Sequence, residues 1–82
     1  MAGPRGVLLA WDEYRAATRW LPQARTAAGL SQGQLAGRLG KSDRWVTLRE
    51  TGAIRMTQAE VELIAGALQI EVPALSPVGG AR

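Results

Sequence analysis

The segment that most constrains the fold runs from Ser31 to Gly52 with the sequence SQGQLAGRLGKSDRWVTLRETG. Ser31 and Gln34 have the spacing of a capping box, in which each side chain binds the other residue's backbone N–H at the start of a helix. Gly40 suits the left-handed residue that ends such a helix, and Ser42 can cap a second helix. The segment therefore predicts two short helices joined by a tight turn.

The predicted helices cover 31–39 and 42–51, and together they form a helix-turn-helix unit over 31–52. Leu35 lies on the inward face of the first helix, and Val46 is the clearest inward residue of the second. In such a unit the second helix enters the major groove of duplex DNA, so double-stranded DNA is the predicted partner.

This part of the chain resembles the phage repressor and Cro type of helix-turn-helix proteins, also called XRE-like. The resemblance covers roughly 21–75, including a helix over 57–68, and combines GLSQ, LA, LG, S and E-x-G at fixed spacings. The matching positions are Arg25, Gly29, Leu30, Ser31, Gln32, Leu35, Ala36, Leu39, Gly40, Ser42, Val46, Glu50 and Gly52. The resemblance implies an all-α, lambda-repressor-like compact bundle of about five short helices. It also implies a homodimer that regulates transcription without a cofactor.

Composition argues against several other classes of function. The 82 residues include neither Cys nor His, which removes the usual zinc sites and most nucleophilic chemistry and fits a reducing cytoplasm. The predicted DNA binding would make this cytoplasmic protein nucleoid-associated. Asp12 and Glu13 are adjacent, so they point to different helix faces and cannot form a facing carboxylate pair. We therefore expect no enzyme activity and no metal site. The apolar run 7–10 is too short for a signal peptide core or a membrane span.

The basic charge is concentrated on the predicted DNA-binding segment. The net charge is +3, and 15–55 holds eight of the ten basic residues but only two acidic ones, Asp43 and Glu50. A surface that faces phosphates needs this distribution. By itself, the same pattern also fits an Arg-rich, solvated surface.

The predicted domain covers 9–76, with a flexible tail over 1–8 and a disordered tail over 77–82. An extra N-terminal helical pattern starts near Leu9 and is interrupted by Pro22. Because proline removes a helical hydrogen bond and clashes with the preceding turn, we expect either a kink or two helices, about 9–20 and 22–28.

The N-terminal pattern places Trp11, Tyr14, Thr18 and Leu21 on one apolar stripe. We expect this stripe to pack across the domain's own core, with a dimer contact as the alternative. Trp20 lies off the stripe and is expected to be an exposed aromatic anchor. A protein partner could bind this helix through Trp11 and Trp20.

The C-terminal part begins with Thr57 and Glu60, which have capping-box spacing. We expect the core to contain Ile70, and a short fifth helix over 72–75 is possible. In relatives this end often carries the dimer contact, which gives three candidate contact residues, Val72, Leu75 and Val78.

Nine residues are predicted to contact DNA, most of them around the second helix of the unit. The candidates for base contacts are Arg44, Thr47, Asp43, Ser42 and Leu48. Arg44 is the sharpest of these because a guanidinium offers two donors to guanine N7 and O6, whereas Thr47 could meet either a thymine methyl or a phosphate. The candidates for phosphate contacts are Gln32, Arg38, Lys41 and Arg55.

Arg25 and Glu50 match a pair that forms a partly buried structural ion pair in the resembled family. Lys41 and Arg49 depart from the family, which usually has apolar residues there. Arg49 follows Trp45 by one turn, so its guanidinium could stack on the indole. With Leu48, Trp45 would then replace the missing apolar contact.

Two other functions remain open from the sequence. One is an antitoxin-type or other protein-interaction module that uses the helix-turn-helix for autoregulation and its N-terminal helix for a partner. The other is a recombination accessory factor that bends DNA.

Overall fold

The computed structural model describes residues 8–75, which contain four α-helices. They are α1 (Trp11–Ala27), α2 (Gln32–Leu39), α3 (Asp43–Glu50) and α4 (Gln58–Leu68). The all-α class is therefore confirmed for this range, whereas the expected number of about five helices is not confirmed by the four helices that it contains. Among the described helices, none combines the length and apolarity that crossing a lipid bilayer requires.

The predicted caps determine where α2, α3 and α4 begin. Ser31 Oγ accepts from the backbone N–H of Gln34 at 3.0 Å, and Thr57 Oγ1 accepts from that of Glu60 at 3.0 Å. Both capping boxes are complete, since Gln34 and Glu60 bind back to the cap residues. Gly40 ends α2 with φ of 68°, as its left-handed role requires.

The helix α1 continues through Pro22, so the two-helix alternative is wrong and the N-terminal extension is not a separate helix. Leu21 and Ala17 on the same helix are completely buried. Burying a leucine stabilises by roughly 1.5–3 kcal/mol, which offsets much of the roughly 3 kcal/mol that an interior proline costs. Packing of the inner face therefore keeps the helix continuous.

An N-terminal strap, residues 8–10, joins the start of α1 to the loop before α4. Leu8 forms an isolated antiparallel bridge with Thr57, and the backbone N–H of Leu9 donates to the carbonyl of Met56 at 3.1 Å. Leu9 is also buried in the core. Residue 8, the last residue of the expected tail, thus contacts the domain, and residues 1–7 lie outside the described range.

The chain after α4 leaves the core earlier than expected. Gln69 adopts a left-handed conformation with φ of 59°, and Ile70 is 44% exposed, so its assignment to the core was wrong. The predicted fifth helix over 72–75 does not form, although Leu75 packs against the core. Val78 and the tail over 77–82 lie outside the described residues.

The core lies between all four helices and includes residues from the strap and the loop before α4. Its buried members are Leu9, Ala17, Leu21, Leu35, Ala36, Val46, Met56, Val61, Ile64 and Leu68. Leu35 and Val46 hold α2 and α3 on opposite sides of the turn, which leaves the outer face of α3 free.

Candidate nucleic-acid interface

Two ion pairs hold α3 against its neighbours, and the first is formed by Arg25 and Glu50. Arg25 Nε lies 2.6 Å from Glu50 Oε2, and Nη2 lies 3.2 Å from Oε1. Arg25 Nη1 also donates to the carbonyl of Leu30 at 2.7 Å. The side chains are only 14% and 6% exposed. The hydrogen bond to Glu50 raises the pKa of Arg25 above its usual value, so this guanidinium remains charged.

The second ion pair joins α3 to the start of α4. Arg49, which is buried, donates from Nη2 to Glu60 Oε2 at 3.0 Å and from Nε to Oε1 at 3.2 Å. Glu60 also binds the backbone N–H of Thr57. Sequence reasoning identified Glu60 only as a capping residue, and no local pattern indicated its partner. The pair explains how a cation occupies a position where apolar residues are usual.

Trp45 lies beside both cations that depart from the family pattern. The guanidinium carbon of Arg49 is 3.9 Å from the indole centroid, which is the predicted stacking, and Lys41 Nζ is 5.5 Å from it. Trp45 is half-buried and packs against the core. The indole thus supplies apolar contact and a favourable face for two positive charges.

The N-terminal end of α3 is exposed to solvent and carries the guanidinium of Arg44, which binds no other residue in 8–75. Ser42, Asp43 and Arg44 are all exposed, whereas Leu48 is half-buried. Ser42 Oγ accepts from the backbone N–H of Trp45 at 3.1 Å, so this residue serves as the helix cap. Arg44 has no hydrogen bond, ion pair or ring contact with any residue in 8–75.

Asp43 lies against the first turn of α2. A Cβ added to Gly33 would be 3.1 Å from Asp43 Oδ2, a distance at which the carboxylate would have to move. Glycine at position 33 therefore leaves room for the first side chain of α3. This contact explains why glycine occurs inside α2 in spite of its low helix propensity.

Gln32 and Thr47 contact each other across the turn. Gln32 Nε2 donates to Glu50 Oε1 at 2.8 Å, and Thr47 Oγ1 donates to Gln32 Oε1 at 2.8 Å. Both residues are half-buried. Their side chains connect the Arg25–Glu50 pair to the outer part of α3.

The other predicted DNA contacts lie at separate places. Arg38 Nη1 donates to the carbonyl of Ala67 at the end of α4, at 3.2 Å. The guanidinium carbon of Arg55 lies 4.6 Å from the centroid of Trp11, which is 64% exposed. Trp20 packs against the core instead, so its expected role as the exposed aromatic residue was wrong.

Four cations in the described range have neither an acidic partner nor a side-chain hydrogen bond within the protein. Arg15, Arg25 and Arg49 form ion pairs, and Arg38 binds a carbonyl. The cations with neither kind of contact are Arg19, Lys41, Arg44 and Arg55. Three of these four lie just before α3, in its first turn or in the loop that follows it, so the unneutralised positive charge is concentrated around this helix.

Two short helices joined at a left-handed glycine, with the second helix exposed at its N-terminal end, define a helix-turn-helix protein. A family model described as a helix-turn-helix domain matches residues 16–76. The chain therefore belongs to this family, of the XRE/Cro-like type of DNA-binding regulators, and the resemblance seen in the sequence is confirmed. A comparison with curated proteins finds no match.

Proposed function

We propose that this protein is a small transcriptional regulator that binds a specific double-stranded DNA site, with α3 in the major groove. The observation that carries the proposal is the free guanidinium of Arg44 at the exposed end of α3. The helix itself is held by one bidentate ion pair on each side. A rigid support with a free donor is what recognition of a base edge requires.

Lys41 and Arg55 supply phosphate contacts on either side of Arg44 in this proposal. Both cations lie over indole rings and lack acidic partners. Because Arg55 Nε is buried, a phosphate contact of Arg55 would use its other N–H groups. Gln32 and Arg38 are weaker candidates because both already bind groups of the protein. A cytoplasmic, nucleoid-associated location follows from the proposed role.

The test compares two variants that each remove one unpaired cation, Arg44→Ala and Arg19→Ala. The cognate site is first selected from a pool of random duplexes with the unaltered protein. Arg44→Ala should weaken binding to this site by about 1–3 kcal/mol more than binding to random duplex. Arg19→Ala, on the exposed face of α1, should change both affinities by the same small factor.

Equal losses on both duplexes for Arg44→Ala would show that this residue only neutralises phosphate. Affinity should also fall steeply with salt, because phosphate contacts release counterions. An affinity independent of salt would contradict the proposal and favour a protein partner.

Dimerisation on a palindromic site is the second part of the proposal. Beyond α4, Ile70 and Val72 are 44% and 46% exposed, and these apolar side chains lie where a second copy could cover them. Val72→Glu should then lower the dimer association constant in sedimentation equilibrium without changing the helical circular dichroism. An unchanged association constant would exclude this surface.

A protein-interaction role is the alternative that a particular observation favours. Leu8 precedes α1 and Trp11 is its first residue, and these large apolar side chains are 48% and 64% exposed. An antitoxin-type protein could use them for its partner. Copurification of a second protein that is lost in Trp11→Ser would favour this role, whereas a lone homodimer would count against it.

A further inference from the structure

A chain of four side chains runs from the inside of the bundle to the outer part of α3. Arg25 binds Glu50 through two N–H groups at 2.6 and 3.2 Å, and Gln32 Nε2 donates to Glu50 at 2.8 Å. Thr47 Oγ1 lies 2.8 Å from Gln32 Oε1. The chemistry of these side chains determines which atom of each contact donates the hydrogen and which accepts it.

The first three members have a fixed direction. A guanidinium only donates, and the carboxylate of Glu50 accepts from three N–H groups. Gln32 must therefore turn its NH₂ group toward Glu50, because the opposite amide orientation would place two oxygens 2.8 Å apart. The Gln32 carbonyl oxygen consequently faces Thr47.

The direction of the Thr47 hydroxyl follows from this arrangement. An amide oxygen cannot donate, so at 2.8 Å the hydrogen between it and Thr47 Oγ1 must come from threonine. The other acceptor near Oγ1 is the carbonyl oxygen of Asp43, at 3.1 Å, which also belongs to the protein. The single hydroxyl hydrogen is therefore used inside the protein with either acceptor.

Thr47 then offers only oxygen lone pairs and a methyl group to an outside partner. It cannot donate to a phosphate oxygen, to O6 or N7 of guanine, or to O4 of thymine. In the major groove, hydrogen-bond donors are the N4 amino group of cytosine and the N6 amino group of adenine. These are the groups that an acceptor on α3 can bind.

We infer that Thr47 is a specificity-determining residue that selects a base with an exocyclic amino group, cytosine or adenine, at one position of the DNA site. This inference rests on the proposed function. At that position the base pair is oriented so that the amino group, rather than the carbonyl of its partner base, faces Oγ1. On this inference, neither a phosphate nor a thymine methyl, the two contacts open from the sequence, is the main partner of Thr47.

The test removes the acceptor from the protein and the donor from the DNA. Sites are selected from random duplexes with the unaltered protein and with Thr47→Val, which keeps the shape of threonine but lacks the oxygen. The position whose preference changes identifies the contacted base. In the cognate duplex, that base is then replaced by purine for adenine or 2-pyrimidinone for cytosine, which lack only the amino group.

Loss of the amino group should weaken binding by the unaltered protein about 3–10-fold, the effect of one neutral hydrogen bond. The same DNA change should alter binding by Thr47→Val less than 2-fold if the two groups bind each other. Thr47→Ser keeps the hydroxyl and should retain the response. Circular dichroism of each variant establishes that α3 has formed.

A preference for guanine or thymine at the contacted position, an unchanged site profile for Thr47→Val, or a Thr47→Ser variant that behaves like valine would overturn the inference. The proposed function would survive these results if Arg44→Ala still reduced sequence selectivity. If the unaltered protein enriches no sequence at all, the proposed function fails and the role of Thr47 fails with it.

Discussion

Replacing Glu50 with alanine should destabilise the protein strongly because its carboxylate is the acceptor for two other side chains. Glu50 is 6% exposed and accepts three N–H bonds, from Arg25 and Gln32. Removing one member of a buried ion pair typically costs about 3–5 kcal/mol. Since Arg25 is 14% exposed, water can partly solvate the stranded guanidinium, and we expect the lower end, about 3 kcal/mol.

This loss is large for a chain of 82 residues, for which total stability is about 4–12 kcal/mol. At about 4–8 °C for each kcal/mol, Tm should fall by at least about 12 °C. Urea unfolding followed by circular dichroism measures the free energy of unfolding, and a double-mutant cycle with Arg25→Ala isolates the coupling between the two side chains.

Arg15→Ala is the matched control because it breaks an ion pair of another kind. Arg15 and Asp12 lie 3.4 Å apart and are 63% and 60% exposed. Solvent screening should limit the effect to less than about 0.5 kcal/mol. If Glu50→Ala cost less than about 1 kcal/mol with an unchanged denaturant slope, the Arg25–Glu50 pair would behave like this surface pair and the reasoning would be refuted.

Three further variants test the loop and helix geometry. Gly37→Ala should stabilise the protein by up to about 1 kcal/mol in urea unfolding, because Gly37 lies inside α2 with open space around its Cα. Gly52→Ala should destabilise it by at least about 1–2 kcal/mol, because φ is 82° and the new Cβ would lie 2.9 Å from the Tyr14 hydroxyl. Trp11→Ala should weaken binding to cognate and random duplex by equal factors, and less than Arg55→Ala does, because it removes only the ring beneath Arg55. A gain in stability for Gly52→Ala, or a loss confined to the cognate duplex for Trp11→Ala, would contradict these expectations.

Local signals in the sequence were sufficient to predict how three of the helices begin and where the turn lies. Capping depends on residues three positions apart, and a glycine after a helix has a direct conformational meaning. The Ser31 and Thr57 capping boxes and the left-handed Gly40 were therefore predictable. The family resemblance gave the identity of the unit.

The remaining features depend on contacts between distant parts of the chain. Arg49 departs from the family pattern, and the partner that accounts for it, Glu60, lies on the next helix, where no local pattern indicates it. Pro22 suggested a break because propensity contains no information about the burial of Leu21. Trp20 and Trp11 exchanged their expected roles, since only the packing of α1 decides which indole is covered.

The directional bonds around Thr47 were also beyond sequence reasoning. Residue types established that Thr47 could both donate and accept. Only the distances to Gln32 and Asp43 determine which capacity is left for a partner.

The N-terminal strap belongs to the folded domain although it lies outside the region that matches the family model. The matched family region starts at residue 16, yet Leu9 fills part of the hydrophobic interior and its N–H is bound to Met56. A polypeptide trimmed to residues 16–76 would lose the buried Leu9 side chain and its backbone hydrogen bond to the loop before α4. We therefore expect the autonomously folding unit of this protein to be longer than the region that matches the family model.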